Sequence, residues 1–217
     1  MSEPQDVADQ VVIRRPRADD LARISDLLFT RSPDHGLSPI TDEQTWRWST
    51  AMLILGEQPG RWRNTLVAEA EGQVAGVLVA RAGTQRPRRI VRLRTLAAVP
   101  LLAMTIFGPV GWLPMAMRAS RVQRLWAPAP NDAYYVAEVA VDARFRNRGI
   151  GRALLARAEA NARARGFTRM ALHTVTTNPA RRLYEREGYR IAETSTDPRE
   201  ELRTGTAGVH LMVKDLR

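Results

Sequence analysis

Cysteine is absent from all 217 positions, which removes disulfides, thiolate metal ligands and any cysteine-linked covalent intermediate. Histidine is scarce. His35, His173 and His210 stand far apart, so no histidine-based metal cluster, and no metal, is expected. Lysine occurs once, at Lys214, although Lys and Arg together number 33 against 23 Asp and Glu. The formal charge of +10 therefore rests on guanidinium groups, which suit an anionic ligand, a nucleic acid or an anionic membrane surface without choosing among them. The arginines are scattered, with no basic helix or aromatic ladder organised for groove or base recognition, so a nucleic-acid partner is not expected. Internal repeats and low-complexity tracts are also missing. The opening MSEPQDVADQ lacks the charged and apolar regions of a signal peptide, and a cytoplasmic location is the default expectation. A hydrophobic content of 44% is ample for a core, and the length suits one domain over 1–217 with an insertion.

Along the chain, Val11 to Arg14 reads as a short strand, and Leu21, Ile24, Leu27 and Leu28 mark one face of a helix that Asp19 or Asp20 can cap. A second helical segment starts at Thr41, carries Trp46, Trp48, Met52 and Leu55, and ends at Gly56 and Pro59. Thr65 to Glu69 and Val74 to Ala80 alternate as strands around Glu71-Gly72, a hairpin signal. Residues 85–130 break the pattern, arginine-rich at both ends and apolar between. Order resumes with a strand over Val136 to Val141 and a helix over Gly151 to Arg165, closed by Gly166 with Phe167 placed to pack back. Met170 to Thr174 is a strand. Asn178-Pro179 opens a helix that runs to Gly188, and Tyr189 to Thr194 and Gly208 to Val213 are the closing strands.

The run YYVAEVAVDARFRNRGIGRALL, Tyr134 to Leu155, carries the most information. It reads as a buried strand, a basic glycine turn and a helix start. Glycine lets backbone approach a ligand closely. The first amides of a helix lack internal partners and carry partial positive charge, so anionic oxygens are their natural guest. Arg144, Arg146 and Arg148 add permanently charged planar forks suited to phosphate.

The run from Val139 to Tyr189 resembles the GNAT superfamily of acyl-CoA-dependent N-acyltransferases. That family's signature is Arg or Gln, two residues, Gly, one residue, then Gly or Ala, which Arg146, Gly149 and Gly151 meet. Its second hallmark, a helix ending in Leu-Tyr-Glu followed by Gly-Tyr or Gly-Phe, is similar to Leu183, Tyr184, Glu185, Gly188 and Tyr189. The resemblance implies an α/β (α+β) fold, a mixed, mostly antiparallel splayed sheet flanked by helices. It also implies acetyl-CoA as cosubstrate. Backbone groups of Val139, Ala140 and Val141 would hold pantetheine, and Arg146, Asn147, Arg148, Gly149, Ile150, Gly151 and Arg152 would cradle the pyrophosphate. The position of the family's pantetheine-holding asparagine falls on Thr177, with asparagine one residue later. Asn178 is thus either that contact or a helix N-cap with Pro179 at N1.

An ammonium group with a pKa of about 10 must lose a proton before it attacks, so transfer needs a base, and the departing thiolate profits from an acid. Tyr184 stands where the family places its acid; the alternative is a core tyrosine. Glu138, in an otherwise apolar strand, is the base candidate, since burial would raise its pKa; the alternative is a carboxylate paired with an arginine of the insertion. His173 reads as a packed strand residue. Without cysteine, direct attack in a ternary complex with a small-molecule or peptide amine is expected, and the rival is an acyl-CoA-binding sensor that has lost turnover.

Thr95 to Met117 contains no charged residue and passes the ~18-residue length for suspecting a membrane span. Pro100, Pro109 and Pro114 interrupt it, arginines flank both ends, and strands on either side must join one sheet. Short helices over the sheet are expected instead. They would roof the acceptor pocket, with Trp112, Met115 or Met117 lining it; a homodimer face and peripheral membrane contact are the alternatives.

Overall fold

A computed structural model describes residues 11–31, 64–82, 117, 121–122 and 124–216. The described elements are β1 (Val12–Arg14), α1 (Leu21–Arg31), β2 (Thr65–Ala70), β3 (Gln73–Ala82), β4 (Ala133–Val141), α2 (Ile150–Ala164), β5 (Arg169–Val175), α3 (Arg181–Arg186), β6 (Arg190–Thr196), α4 (Pro198–Thr204) and β7 (Gly208–Asp215). The strands form one seven-stranded sheet in the order β1-β2-β3-β4-β5-β7-β6. Every pairing is antiparallel except β4 beside β5. This is the mixed, mostly antiparallel sheet flanked by helices that the resemblance implies.

Local chemistry accounts for most boundaries. Between β2 and β3, Glu71 and Gly72 both take positive φ, 53° and 70°, the backbone of a tight hairpin turn matched to strand twist. α2 ends as expected: Gly166 takes φ 76°, and the Phe167 N–H donates to the Ala162 carbonyl at 3.1 Å, returning an otherwise orphaned carbonyl to use. The Phe167 ring then tilts against Tyr134, centroids 5.5 Å apart.

The sheet buries both faces. On one, α2 lays Ile150, Leu154, Leu155 and Ala158 on Leu78, Tyr134, Val136, Met170 and Leu172. On the other, α1 buries Ile24, Leu27 and Leu28 against Val67, Val77 and Val79. The tail of the insertion also covers this second face. Leu125 packs with Val175 and Val209, and Ala127 with Ala133, Ala171 and Leu211.

Two departures from expectation stand out. α4 fills the gap between the closing strands, where no element was expected: the Asp197 side chain accepts from the Arg199 and Glu200 amides, Pro198 occupies the first turn, and Gly205 ends the helix at φ 71°. α3 begins at Arg181 rather than Pro179, with a turn intervening. The helical segment expected from Thr41, and Trp112 and Met115 of the insertion, lie outside the described residues. Met117 is 56% exposed.

Candidate active site

β4 and β5 pair only over their first halves, from Ala133 with Arg169 to Val136 with Leu172. Beyond that point the strands part, and the backbone of residues 137–141 has no strand partner on its β5 side among the described residues. The sheet therefore opens as a fork whose base is Ala137 and His173. A bulge coincides with it: Val79 opposes Glu138 while Ala80 opposes Val136, so Ala137 is an extra residue in β4. A bulge changes which residues face which side. Tyr134 and Val136 belong to the α2 face before it, and Val139 and Val141 pack on that same face after it.

This shift decides the position of Glu138. Uninterrupted alternation from Tyr134 would have turned its side chain into the α2-face core. Instead it stands opposite Val79 on the α1 face and is exposed. The burial expected for it is not found.

At the open end of β4, a 3-10 turn over Ala143–Phe145 leads into the glycine turn. Asn147 and Gly149 both take positive φ, 60° and 77°, and Gly149 caps α2 directly before Ile150. A Cβ placed on Gly149 would meet nothing within 4 Å among the described residues, so the backbone at the start of α2 is uncovered there. Gly151 is different, since its Cβ would stand 3.0 Å from Leu183 Cδ2; here the missing side chain lets α2 press against α3. Ile150 itself is 2% exposed and anchors the turn to the core.

The arginines divide by partner. Arg144 bonds Asp142 and the Gln73 side chain. Arg148 donates to Glu71 in the hairpin turn at 3.0 Å, and Arg152 lies 3.3 Å from Glu187. Among the described residues Arg146 has no such partner, which leaves its guanidinium for an incoming anion. Asp142 anchors the turn. Burial opposes its charge, but the Arg144 amide and the Arg144 and Arg23 guanidinium groups outweigh that and lower its pKa. Arg23 reaches it from α1. The residues present thus fit a diphosphate: open space, unpaired helix amides and one free guanidinium.

Tyr184 is 7% exposed, in the α2-face core, with its ring edge-on to Tyr189 at 6.0 Å. Burial pushes the Tyr189 phenol far up, with nearby Glu159 adding to the rise. Asn178 is engaged locally. Its Oδ1 accepts from the Ala180 N–H at 2.9 Å and its Nδ2 donates to Thr174 Oγ1 at 2.9 Å. An amide has a second hydrogen and further lone pairs, so this turn-forming role leaves one donor for a ligand.

A grouping that sequence reasoning missed lies at the fork base on the α1 face. Tyr135 Oη stands 2.8 Å from His173 Nδ1, and His173 Nε2 stands 2.8 Å from the Ala127 carbonyl. A carbonyl only accepts, so Nε2 carries the hydrogen, Nδ1 accepts, and the phenol donates. Trp126 covers the other side of the imidazole at 5.2 Å, and the Arg81 guanidinium lies 4.8 Å over the Tyr135 ring. Burial lowers the His173 pKa; the bond to Ala127 opposes this and Arg81 adds to it. Among the described residues no group of three or more His, Cys, Asp or Glu side chains could hold a metal, and no helix is long and apolar enough to cross a membrane.

Comparison with known proteins adds a family to this geometry. The family model described as "Acetyltransferase (GNAT) family" matches residues 24–189. No curated protein matches. Among solved structures, the chain is similar to an agmatine N-acetyltransferase in its apo form, with TM-score 0.61, 17% identity, and 95% of this chain and 100% of that one covered. It is similar to the PaiA N-acetyltransferase of Thermoplasma acidophilum in complex with coenzyme A, with TM-score 0.58, 13% identity, and 94% and 98% covered. It also matches the ribosomal-protein-S18-alanine N-acetyltransferase of Escherichia coli, with TM-score 0.51, 15% identity, and 95% and 94% covered. At these identities the likeness is one of fold.

Proposed function

Since the chain belongs to the GNAT acetyltransferase family, we propose that it transfers an acetyl group from acetyl-CoA to a primary amine by direct attack in a ternary complex. The observation that carries this reading is the fork: β4 and β5 part beyond Val136 and Leu172, directly before the turn and helix N-terminus that suit a diphosphate. An extended donor arm beside residues 139–141 would satisfy backbone groups that no described strand reaches, and Arg146 with the first α2 amides would receive the pyrophosphate. Bound there, acetyl-CoA supplies the activated acetyl group as a thioester. The same-fold neighbours act on agmatine and on a ribosomal protein alanine, and both are amines.

Tyr184, on the α2 face where the donor lies, holds the proton for the departing sulfur. Glu138, exposed on the opposite face, meets the acceptor as a cation and draws it to the fork as counter-charge. Ala127, from the described tail of the insertion, packs on that same face, which supports an acceptor site on this side of the sheet. A cytoplasmic setting accords with this chemistry.

Thiol release from acetyl-CoA is measured with agmatine, spermidine, phenethylamine and an alanine-starting peptide as acceptors. Release with one of them is expected. Glu138→Gln should raise KM for that amine about tenfold, the scale of one charge-assisted contact, at constant KM for acetyl-CoA. Coenzyme A binding without release would point to a sensor instead.

A further inference from the structure

We propose that Tyr135 and His173 form a proton relay at the fork base that takes the proton from the acceptor's ammonium group. The inference rests on the acetyltransferase reading, and it starts from position. Ala137 and His173 are the residues at which β4 and β5 separate, so the thioester end of a donor lying along residues 139–141 meets the sheet here. Tyr135 and His173 occupy the α1 face of this point, the same face as Glu138. Tyr135 is half-buried and His173 is covered by Trp126 on one side. With the imidazole held between Tyr135, the Ala127 carbonyl and Trp126, the phenol is the member assigned to the amine, and the imidazole acts through it.

The hydrogen-bond directions fix what the pair can do. With Nε2–H committed to the Ala127 carbonyl, the Nδ1 lone pair points at Tyr135 Oη. A proton arriving at Oη displaces the phenol's own proton to Nδ1. The phenol leaves this exchange neutral and the histidine becomes imidazolium, with both ring hydrogens on existing acceptors. The freed amine lone pair then forms the C–N bond as the C–S bond breaks. The nitrogen's second proton goes to the departing sulfur through Tyr184, and the first returns through Tyr135 to solvent once product leaves.

The charged and titratable surroundings are consistent with this direction of flow. β3 supplies Arg81 over the phenol ring, β4 supplies Glu138 beyond the bulge, the covering segment carries Arg121 and Arg124, and β7 offers apolar Leu211 opposite His173. Burial and Arg81 lower the His173 pKa, so at neutral pH the imidazole is neutral and its lone pair is available. As pH falls through that lowered pKa, Nδ1 gains a hydrogen, becomes a donor toward Oη, and the relay stops.

The test compares wild type, Tyr135→Phe and His173→Gln as full-length protein, with acetyl-CoA and the best amine of the panel above. Tyr135→Phe is expected to lower kcat about 100-fold, within the usual range for general-base catalysis, with both KM values and the thermal midpoint held. His173→Gln keeps a donor for Ala127 and an acceptor for the phenol but cannot store a proton. It should show the same loss in kcat and no acid limb below pH 6.5 in its kcat profile. Retained kcat in Tyr135→Phe overturns the relay and leaves the transferase standing. So does parallel collapse of kcat, KM and thermal midpoint in both variants, which marks a packing role. Wild type that turns over no amine of the panel overturns both readings.

Discussion

Arg144 and Arg146 are two residues apart and face different tasks. Arg144 is tied to Asp142 and Gln73 and stiffens the turn, while Arg146 has no such partner among the described residues and is the guanidinium we propose for the donor. Arg146→Ala should therefore raise KM for acetyl-CoA by ~10-fold or more, the loss of about 1.5–3 kcal/mol from one charged hydrogen bond. Arg144→Ala should change it by no more than a few-fold; steady-state kinetics at fixed amine separates the two. The types and spacing of these residues were legible in the sequence, because a glycine turn before a helix is a local motif. Their partners were not, since Glu71 reaches Arg148 from a distant hairpin. Tyr135 and His173 were illegible for the same reason. What joins them is the place where two strands stop pairing.

Between β6 and β7 the backbones cross so closely that a Cβ on Gly208 would fall 2.1 Å from the Ser195 carbonyl oxygen. Backbone on both sides leaves nothing flexible to yield. Gly208→Ala should cost about 3 kcal/mol or more, the upper range for overpacking, visible as a lower urea midpoint. The hairpin turn and the cap of α2 were legible from Glu71-Gly72 and Gly166-Phe167. The signals of α4, Asp197-Pro198 and Gly205, were equally present, but its seven residues have too short an apolar pattern to suggest a helix. The bulge at Ala137 had no residue signal at all. It exists because β3 pairs across it, and it overturned the burial expected of Glu138.

Taken over the whole molecule, the ionisable groups with lowered pKa values make acid the weak side of the fold. Asp20 is held low by the Arg14 hydrogen bond, against burial, and Arg14 also grips Glu69, joining β1, β2 and the start of α1. Burial lowers His173 and His210. In each case the unfolded chain binds the proton first, so stability is full above the unfolded pKa and declines below it. The thermal midpoint should fall in two stages, from about pH 6.5 for the histidines and from about pH 4 for the Asp20 and Asp142 carboxylates. His210→Gln should shrink the first stage and Asp20→Asn the second; a flat midpoint from pH 7 to 5 would contradict this. The bulge divides β4 into two segments of opposite phase, Tyr134 and Val136 before it and Val139 and Val141 after it sharing the α2 face only because Ala137 is added between them. A transplant counted straight through Ala137, without the extra residue, would swap inside for outside along the whole second half.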